Sequence, residues 1–259
     1  MRQFSYLFMG LFCSFLWGNT LALSQPLETD YTQFLELKEI HSHGQKDFTE
    51  GLFFDNDKLY ESTGIEGTSF FKQIYPTKKI IHKLPDNEFG EGSVLFKGDV
   101  YFLTYQNHKA YRYGKQNKVY DYPYEGWGLT TDGTYLISSD GSAFLHFFDE
   151  NLKEVKKLKI TLAGKELKDL NELEVIDGLI WANIWKTNKI AVINPKTGEV
   201  ILILNFDSLI KKYQLDIPDN TQVDVFNGIA FNPITKTIWL TGKYYPILFE
   251  MKQIKTVAK

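Results

Sequence analysis

The chain has 259 residues, 43 % hydrophobic and 24 % charged, a composition typical of folded globular proteins. A formal net charge of −3 provides no basic field for a phosphate backbone and argues against nucleic acid as a partner. The aromatic share is high, with 20 Phe, 15 Tyr and 5 Trp, which suits strands better than helices.

Met1-Arg2 leads into an apolar run over residues 4–17 and then Asn19-Thr20-Leu21-Ala22, the pattern of a secretory signal peptide over residues 1–24. The run falls short of the ~20 residues that span a bilayer. Residues 25–259 are therefore expected to form one exported domain, periplasmic or secreted, with no stable membrane insertion after cleavage. Cys13, the single cysteine, lies within the signal, so the mature chain is expected to have neither a disulfide nor a thiol nucleophile. Residues up to about Asp30 read as an untied terminus.

Residues 34–40 alternate apolar and polar side chains, the period of a half-buried strand. Five similar units follow. They open at Thr49-Glu50-Gly51-Leu52, Phe89-Gly90-Glu91-Gly92, Gly126-Trp127-Gly128-Leu129, Leu170-Asn171-Glu172-Leu173 and Phe226-Asn227-Gly228-Ile229. Each opening precedes a short apolar run, a turn such as Asp55-Asn56-Asp57, Lys97-Gly98-Asp99 or Asp132-Gly133-Thr134, and a second apolar run. The first four units then carry two more strands, and a spacing of about 36 to 55 residues marks propellers and solenoids. Residues 207–213 break the pattern with near-helical spacing and Asp207 as a capping residue, predicting a short inserted helix. The fifth unit offers only three strands, and residues 34–40 are the candidate for its missing outer strand.

These features predict an all-β, five-bladed propeller with four-stranded blades, the N-terminal strand closing the last blade and so covering the sheet edges. Eight-strand barrels and sandwiches also accommodate short strands at regular spacing. In a propeller, the residues before strand one and after strand two of each blade share one face. That rule gathers Glu50 and Thr63, Glu91 and Tyr105, Trp127 and Asp140, Asn171 and Trp185, and Asn227 and Lys243 around one channel mouth. Polar groups converging among aromatics are the default binding-site hypothesis. The blade-opening glycines are read as serving close packing or a bulge, Asn227 as bonding neighbouring backbone, and Asp140 as a turn residue. The five histidines lack zinc-like spacing, and no phosphate loop, dinucleotide fingerprint or nucleophile elbow is present.

Taken in order, these residues resemble the glutamine cyclotransferase family, the plant and bacterial type of glutaminyl cyclase. The resemblance rests on Phe48-Thr49-Glu50-Gly51, Leu59-Tyr60-Glu61-Ser62-Thr63-Gly64, Phe89-Gly90-Glu91-Gly92, Gly126-Trp127-Gly128-Leu129, Leu170-Asn171-Glu172-Leu173-Glu174, Trp181-Ala182-Asn183-Ile184-Trp185 and Thr241-Gly242-Lys243. It runs from Phe48 to Met251. The resemblance implies a five-bladed propeller that converts N-terminal glutamine of peptides to pyroglutamate, releasing ammonia, with no required metal or cofactor. It further implies Glu91 as the acid/base carboxylate and Phe48, Trp127, Asn171, Trp185 and Lys243 as pocket residues. Lys243 or Asn171 would stabilise the oxyanion, and the residues leave that choice open. Glu50 stands where the family often has Gln, and Tyr105 where it often has Trp. The expected partners are peptides or proteins with N-terminal glutamine, met by a monomer. Two other readings share the same mouth: a non-catalytic propeller that binds peptides or sugars, and a metal-dependent propeller hydrolase of the lactonase kind, ligated by Glu50, Glu91, Asn171 and Asn227.

Overall fold

Each of the five units folds into an antiparallel sheet of hairpin-linked strands in the computed structural model, which describes residues 27–215 and 225–257. Residues 1–24, for which a signal peptide is expected, lie outside the described residues, Cys13 among them. Blade one comprises Thr49–Asp55, Lys58–Thr63, Phe70–Tyr75 and Lys79–Lys83. Blade two comprises Gly90–Phe96, Asp99–Thr104, Lys109–Tyr113 and Lys118–Asp121. Blade three is built from Leu129–Thr131, Leu136–Ser138, Phe144–Phe148 and Glu154–Lys159, and blade four from Leu170–Ile176, Leu179–Ile184, Lys189–Ile193 and Val200–Asn205. Blade five has Phe226–Asn232, Thr237–Gly242 and Ile247–Gln253 from its own unit. Its fourth strand is Leu35–Ser42, paired antiparallel with Ile247–Gln253, so the ring closes between the two ends of the chain as expected.

Packing follows the ring. Apolar side chains cluster between successive blades: Phe53 and Phe71 meet Phe102 between blades one and two, and Val94 and Tyr101 meet Leu129 and Phe148 between two and three. Leu145 and Phe147 meet Leu170 and Ile180 between three and four. Trp181 and Val192 meet Phe226 and Phe249 between four and five, and Leu52 and Leu59 meet Trp239 and Leu248 where five returns to one. Each blade buries both faces, which explains why strand alternation is muted in the central strands.

Two expectations need correction. Residues 27–30 are not an untied terminus: Leu27–Asp30 adds a fifth, parallel strand to Val200–Asn205 at the outer edge of blade four. Backbone groups of an otherwise open edge provide the driving force, and Glu28 to Lys189 (2.6 Å) and Ser208 to Asp30 (2.7 Å) fasten it. The helix Asp207–Lys212 forms, but Asp207 does not cap it; Asn205 Oδ1 accepts the Asp207 N–H at 2.8 Å instead. A small hairpin, Thr161–Leu162 with Lys165–Glu166, joins blades three and four and was not expected from the sequence.

The innermost strands approach one another so closely that only glycine fits at several openings. A Cβ on Gly128 would lie 2.1 Å from the Asn171 carbonyl oxygen, and one on Gly92 would lie 2.5 Å from the Leu129 nitrogen. Both obstacles are backbone and cannot rotate away. Gly128→Ala is therefore expected to destabilise the fold by about 1–3 kcal/mol or more, read as a lowered denaturant midpoint. An unchanged midpoint would contradict this packing.

Candidate active site

Side chains reach the channel mouth through irregularities in pairing at the blade openings. The register of strands one and two shifts between Thr49 and Gly51, Gly90 and Ser93, Leu170 and Leu173, and Phe226 and Ile229. Glu50, Glu91, Asn171 and Asn227 occupy those shifts. Extra residues at a strand opening bend the strand and re-aim a side chain. Blade three begins its pairing at Leu129, and Trp127 enters from the Gly126-Trp127-Gly128 stretch just before it.

The result is a cavity of about 370 Å³ lined by Phe48, Glu50, Phe89, Glu91, Tyr105, Trp127, Asn171, Trp185, Lys186 and Lys243. All eight candidate residues from the sequence meet there. Three members of the expected ring do not line it. The Thr63 hydroxyl accepts the Phe70 N–H at 3.0 Å. Asp140 takes the Ser142 N–H at 3.0 Å, a turn role, and additionally faces His146 Nε2 at 3.1 Å. Asn227 donates to the Thr49 carbonyl at 3.0 Å, the backbone role anticipated for it. Phe89 and Lys186 were missed. Phe89 precedes Glu91 by two residues just as Phe48 precedes Glu50, so the shared spacing in the two openings carried a signal. Lys186 adopts a left-handed φ of 59°, with its ammonium 4.1 Å above the Trp185 ring, an arrangement with no sequence signature.

Two aromatic groups wall the cavity. Phe48 and Phe89 meet edge to face at 5.8 Å, and Tyr105 lies 5.9 Å beyond Phe89. Opposite them, Trp127 and Trp185 meet edge to face at 5.4 Å. Gly141 lies under Trp127, where a Cβ would fall 2.7 Å from the indole. The Trp127 indole N–H and the Asn171 amide oxygen are buried without a hydrogen-bond partner in the protein. Buried polar atoms of native proteins are nearly always satisfied, so both are candidates to bond a ligand.

The ionisable groups are more deeply set. Glu50, Glu91 and Lys243 expose only 1, 5 and 6 % of their surfaces. Lys243 Nζ lies 2.7 Å from Glu50 Oε1 and 4.4 Å above the Phe48 ring. Burial, reinforced by the Glu50 charge, pushes the Glu91 carboxyl well above the usual carboxylate range; Lys243 opposes the rise, while a hydrogen bond to Glu50 and the Glu125 charge add to it. This is a carboxyl of raised proton affinity in an apolar cavity, beside an ammonium and unsatisfied polar groups. Such a set can move a proton at a reacting nitrogen and steady a developing negative charge. It does not suit a metal: an ammonium already occupies the partner position of Glu50, and the Asn227 amide is committed to backbone.

Comparison with known proteins gives a consistent picture. A family model described as glutamine cyclotransferase matches residues 13–253. A glutaminyl-peptide cyclotransferase of Arabidopsis thaliana is 32 % identical over 253 residues, covering 94 % of this chain and 78 % of the relative. The crystal structure of a glutaminyl cyclase from Myxococcus xanthus superposes with a TM-score of 0.78 at 27 % identity, covering 88 % of this chain and 98 % of that one. A gluconolactonase of Xanthomonas campestris aligns at a TM-score of 0.50 and 13 % identity, over 80 % of this chain and 72 % of its own, a likeness of fold alone.

Beneath the aromatic wall, a buried charge network ties the stretch carrying Phe48 and Glu50 to the one carrying Lys243. His43 Nδ1 bonds the Tyr245 carbonyl at 2.7 Å, and its Nε2 faces Glu61 Oε1 at 3.0 Å. Thr49 donates to Glu61 at 2.6 Å, Lys72 bridges Glu61 and Asp47, and the Tyr244 N–H bonds the Asp47 carbonyl at 2.7 Å. Burial opposes ionisation of Glu61, but the charges of His43 and Lys72 outweigh it and bring the carboxyl down to about 2. Burial likewise opposes the His43 imidazolium, and Glu61 outweighs it, so His43 is raised. The stability from Glu61 is present above its ordinary 4.5 and is lost as pH falls from there toward 2. The stability from His43 is present below its ordinary 6.5 and is lost as pH rises through the raised value. Glu61→Gln should cost about 3–5 kcal/mol near pH 5.5, and the deficit should shrink as pH falls below 4.5. Denaturant titrations across pH check this; a deficit independent of pH would mean the network is not ionised.

Proposed function

The chain belongs to the glutamine cyclotransferase family, and on that premise we propose that the Glu91 pocket closes the N-terminal glutamine of peptides and proteins into pyroglutamate with release of ammonia. The activity is that of an acyltransferase working within one residue. The single observation that carries the assignment to this pocket is Glu91 itself, a buried carboxyl with raised proton affinity facing a cavity walled by aromatic rings.

The α-amine of the substrate attacks its own side-chain carboxamide carbon. The Glu91 carboxylate takes one proton from the attacking nitrogen as the new C–N bond forms and the carbonyl electrons move to oxygen. The same proton then passes from Glu91 to the amide nitrogen. The oxyanion collapses, the old C–N bond breaks and neutral ammonia leaves. One carboxyl can serve both steps because burial raises its proton affinity towards the range where it both takes and returns a proton. Ring closure is intramolecular, so holding the folded-back conformer supplies much of the acceleration. Trp127 and Trp185 clasp the side-chain methylenes, while Phe48, Phe89 and Tyr105 shed water from the amine. Lys243, although paired with Glu50 at 2.7 Å, offers the oxyanion a charge-assisted donor, which favours it over the neutral Asn171 amide for that task. Asn171 and the Trp127 N–H then hold the carboxamide.

The protein is proposed to act after export, in the periplasm or outside the cell, as a monomer meeting peptide termini and neither nucleic acid nor membrane. The binding-module reading gives no reason to bury Glu91 and Lys243 together. The lactonase-like reading loses its ligand set to the Glu50–Lys243 ion pair.

Glu91→Gln should lower kcat for ammonia release from a glutaminyl dipeptide amide by about a hundredfold or more, with an unaltered circular dichroism spectrum. Turnover at the wild-type rate would remove Glu91 from this role.

A further inference from the structure

His146 is a buried group that the proposed reaction does not use. It sits on the third strand of blade three, 2 % exposed, with Nδ1 2.8 Å from Glu154 Oε1 and Nε2 3.1 Å from Asp140 Oδ2. Tyr124 covers the imidazole, 3.9 Å between ring centroids, and donates its hydroxyl to the other Glu154 oxygen at 3.0 Å. Satisfied polar networks of this kind rigidify what they touch. Burial raises the Asp140 carboxyl, but the bonds from His146 and Ser142 outweigh it and hold the group below its ordinary value.

The far end of this network is the turn under the tryptophan wall. Asp140 Oδ1 accepts the Ser142 N–H at 3.0 Å and closes the turn, while Oδ2 ties it to the third strand through His146. One residue earlier, the Ser139 carbonyl accepts the Trp127 N–H at 3.2 Å and its hydroxyl accepts the Gly128 N–H at 2.8 Å. One residue later, Gly141, at a φ of 76°, lies against the Trp127 indole. The Gly141 carbonyl accepts the Asp169 N–H at 3.0 Å, and the Asp169 carbonyl accepts the Trp185 N–H at 2.8 Å. Two tryptophans that open and close strands of different blades thus rest on one turn.

We propose that His146 is a positioning residue for the Trp127–Trp185 wall: braced against Glu154, it fixes the Asp140-Gly141-Ser142 turn on which both indoles depend. The proposal rests on the cyclotransferase reading for its catalytic consequence, but not for its geometry. His146 does not line the cavity, so it acts only through the turn. The effect on rate is large because a misplacement of about 1 Å can cost on the order of a hundredfold. The effect on folding is smaller. The Asp140 and Glu154 side chains keep 14 and 28 % of their surfaces in contact with solvent, so loss of the ring strands neither charge away from water.

The test has two readouts. The first is the near-ultraviolet circular dichroism of the substrate-free protein, in which the signal of the indole pair is the difference between wild type and Trp127→Phe. The second is kcat/KM for ammonia release from a glutaminyl dipeptide amide. His146→Phe keeps a ring against Tyr124 but bonds neither carboxylate. It should lose most of the indole signal and lower kcat/KM by about tenfold or more, with an unaltered far-ultraviolet spectrum. Should it fail to fold, Glu154→Ala removes the brace from the far side, leaves the turn itself untouched, and should produce both losses. Glu154→Gln should restore both, because an amide can still meet the Nδ1 position; a merely structural loss of stability would alter neither readout in the folded protein. A folded His146→Phe or Glu154→Ala that retains the indole signal, or retains the wild-type kcat/KM, overturns the proposal. Indole signals lost and restored in this pattern, in a protein whose wild type never cyclises glutamine, would leave the brace standing and dismiss the cyclotransferase reading instead.

Discussion

Five sheets arranged around one axis must bring their innermost strands nearly into contact, and that crowding governs both the fold and the pocket. Backbone groups at the axis are too close for side chains at Gly92 and Gly128. They are also too far from water to go unpaired. The chain answers with bonds between blades: the Gly92 N–H to the Trp127 carbonyl at 2.7 Å, Ser62 to the Glu91 carbonyl at 2.7 Å, and Ser139 to the Asn171 carbonyl at 2.7 Å. Each of these holds the backbone of a residue whose side chain lines the cavity. The pocket is thus rigid for the same reason that the ring is closed.

Further down the axis the same requirement is met by carboxyls. Glu172 accepts the N–H groups of Leu52 and Ile229 at 3.2 and 2.8 Å, tying blade four to blades one and five. Glu174 accepts the Phe231 N–H at 2.9 Å and the Thr130 hydroxyl at 3.1 Å. Burial raises both, Glu174 to about 7, since the apolar surroundings disfavour their charge more than the donors favour it. Glu91 differs from these two in facing open space rather than a full set of backbone donors. One set of acids near one axis divides in this way into structural acceptors and a group free to exchange a proton with a ligand. Environment, not residue type, makes the division.

Much of this was legible in the sequence. Turn chemistry and repeating openings sufficed for the five blades, and the missing strand of the fifth blade pointed to residues 34–40. The site was legible because hairpins return to the end they left, so residues remote in sequence shared a face by arithmetic. What the sequence withheld was pairwise and three-dimensional. The Leu27–Asp30 strand is held by the edge it covers and has too little alternation of its own to announce itself. The convergence of Glu50 on Lys243 depends on the ring closing between blades one and five. The same closure assembles His43, Asp47, Glu61 and Lys72, which no local spacing in the sequence draws together. Thr63 and Asp140 obeyed the same-face rule, yet found backbone or His146 partners before reaching the cavity.

The central claim is that this pocket closes a glutamine onto its own amine without water taking part. The direct measurement is a mass spectrum of a peptide with N-terminal glutamine, incubated with the purified wild-type protein in ¹⁸O-water with a chelator present. The account predicts a product that has lost ammonia and gained no oxygen label, formed faster than in a blank lacking protein. A product that has lost ammonia and gained labelled water would make the protein a hydrolase, and no change in the peptide would reduce the pocket to a binding site; either result contradicts the account.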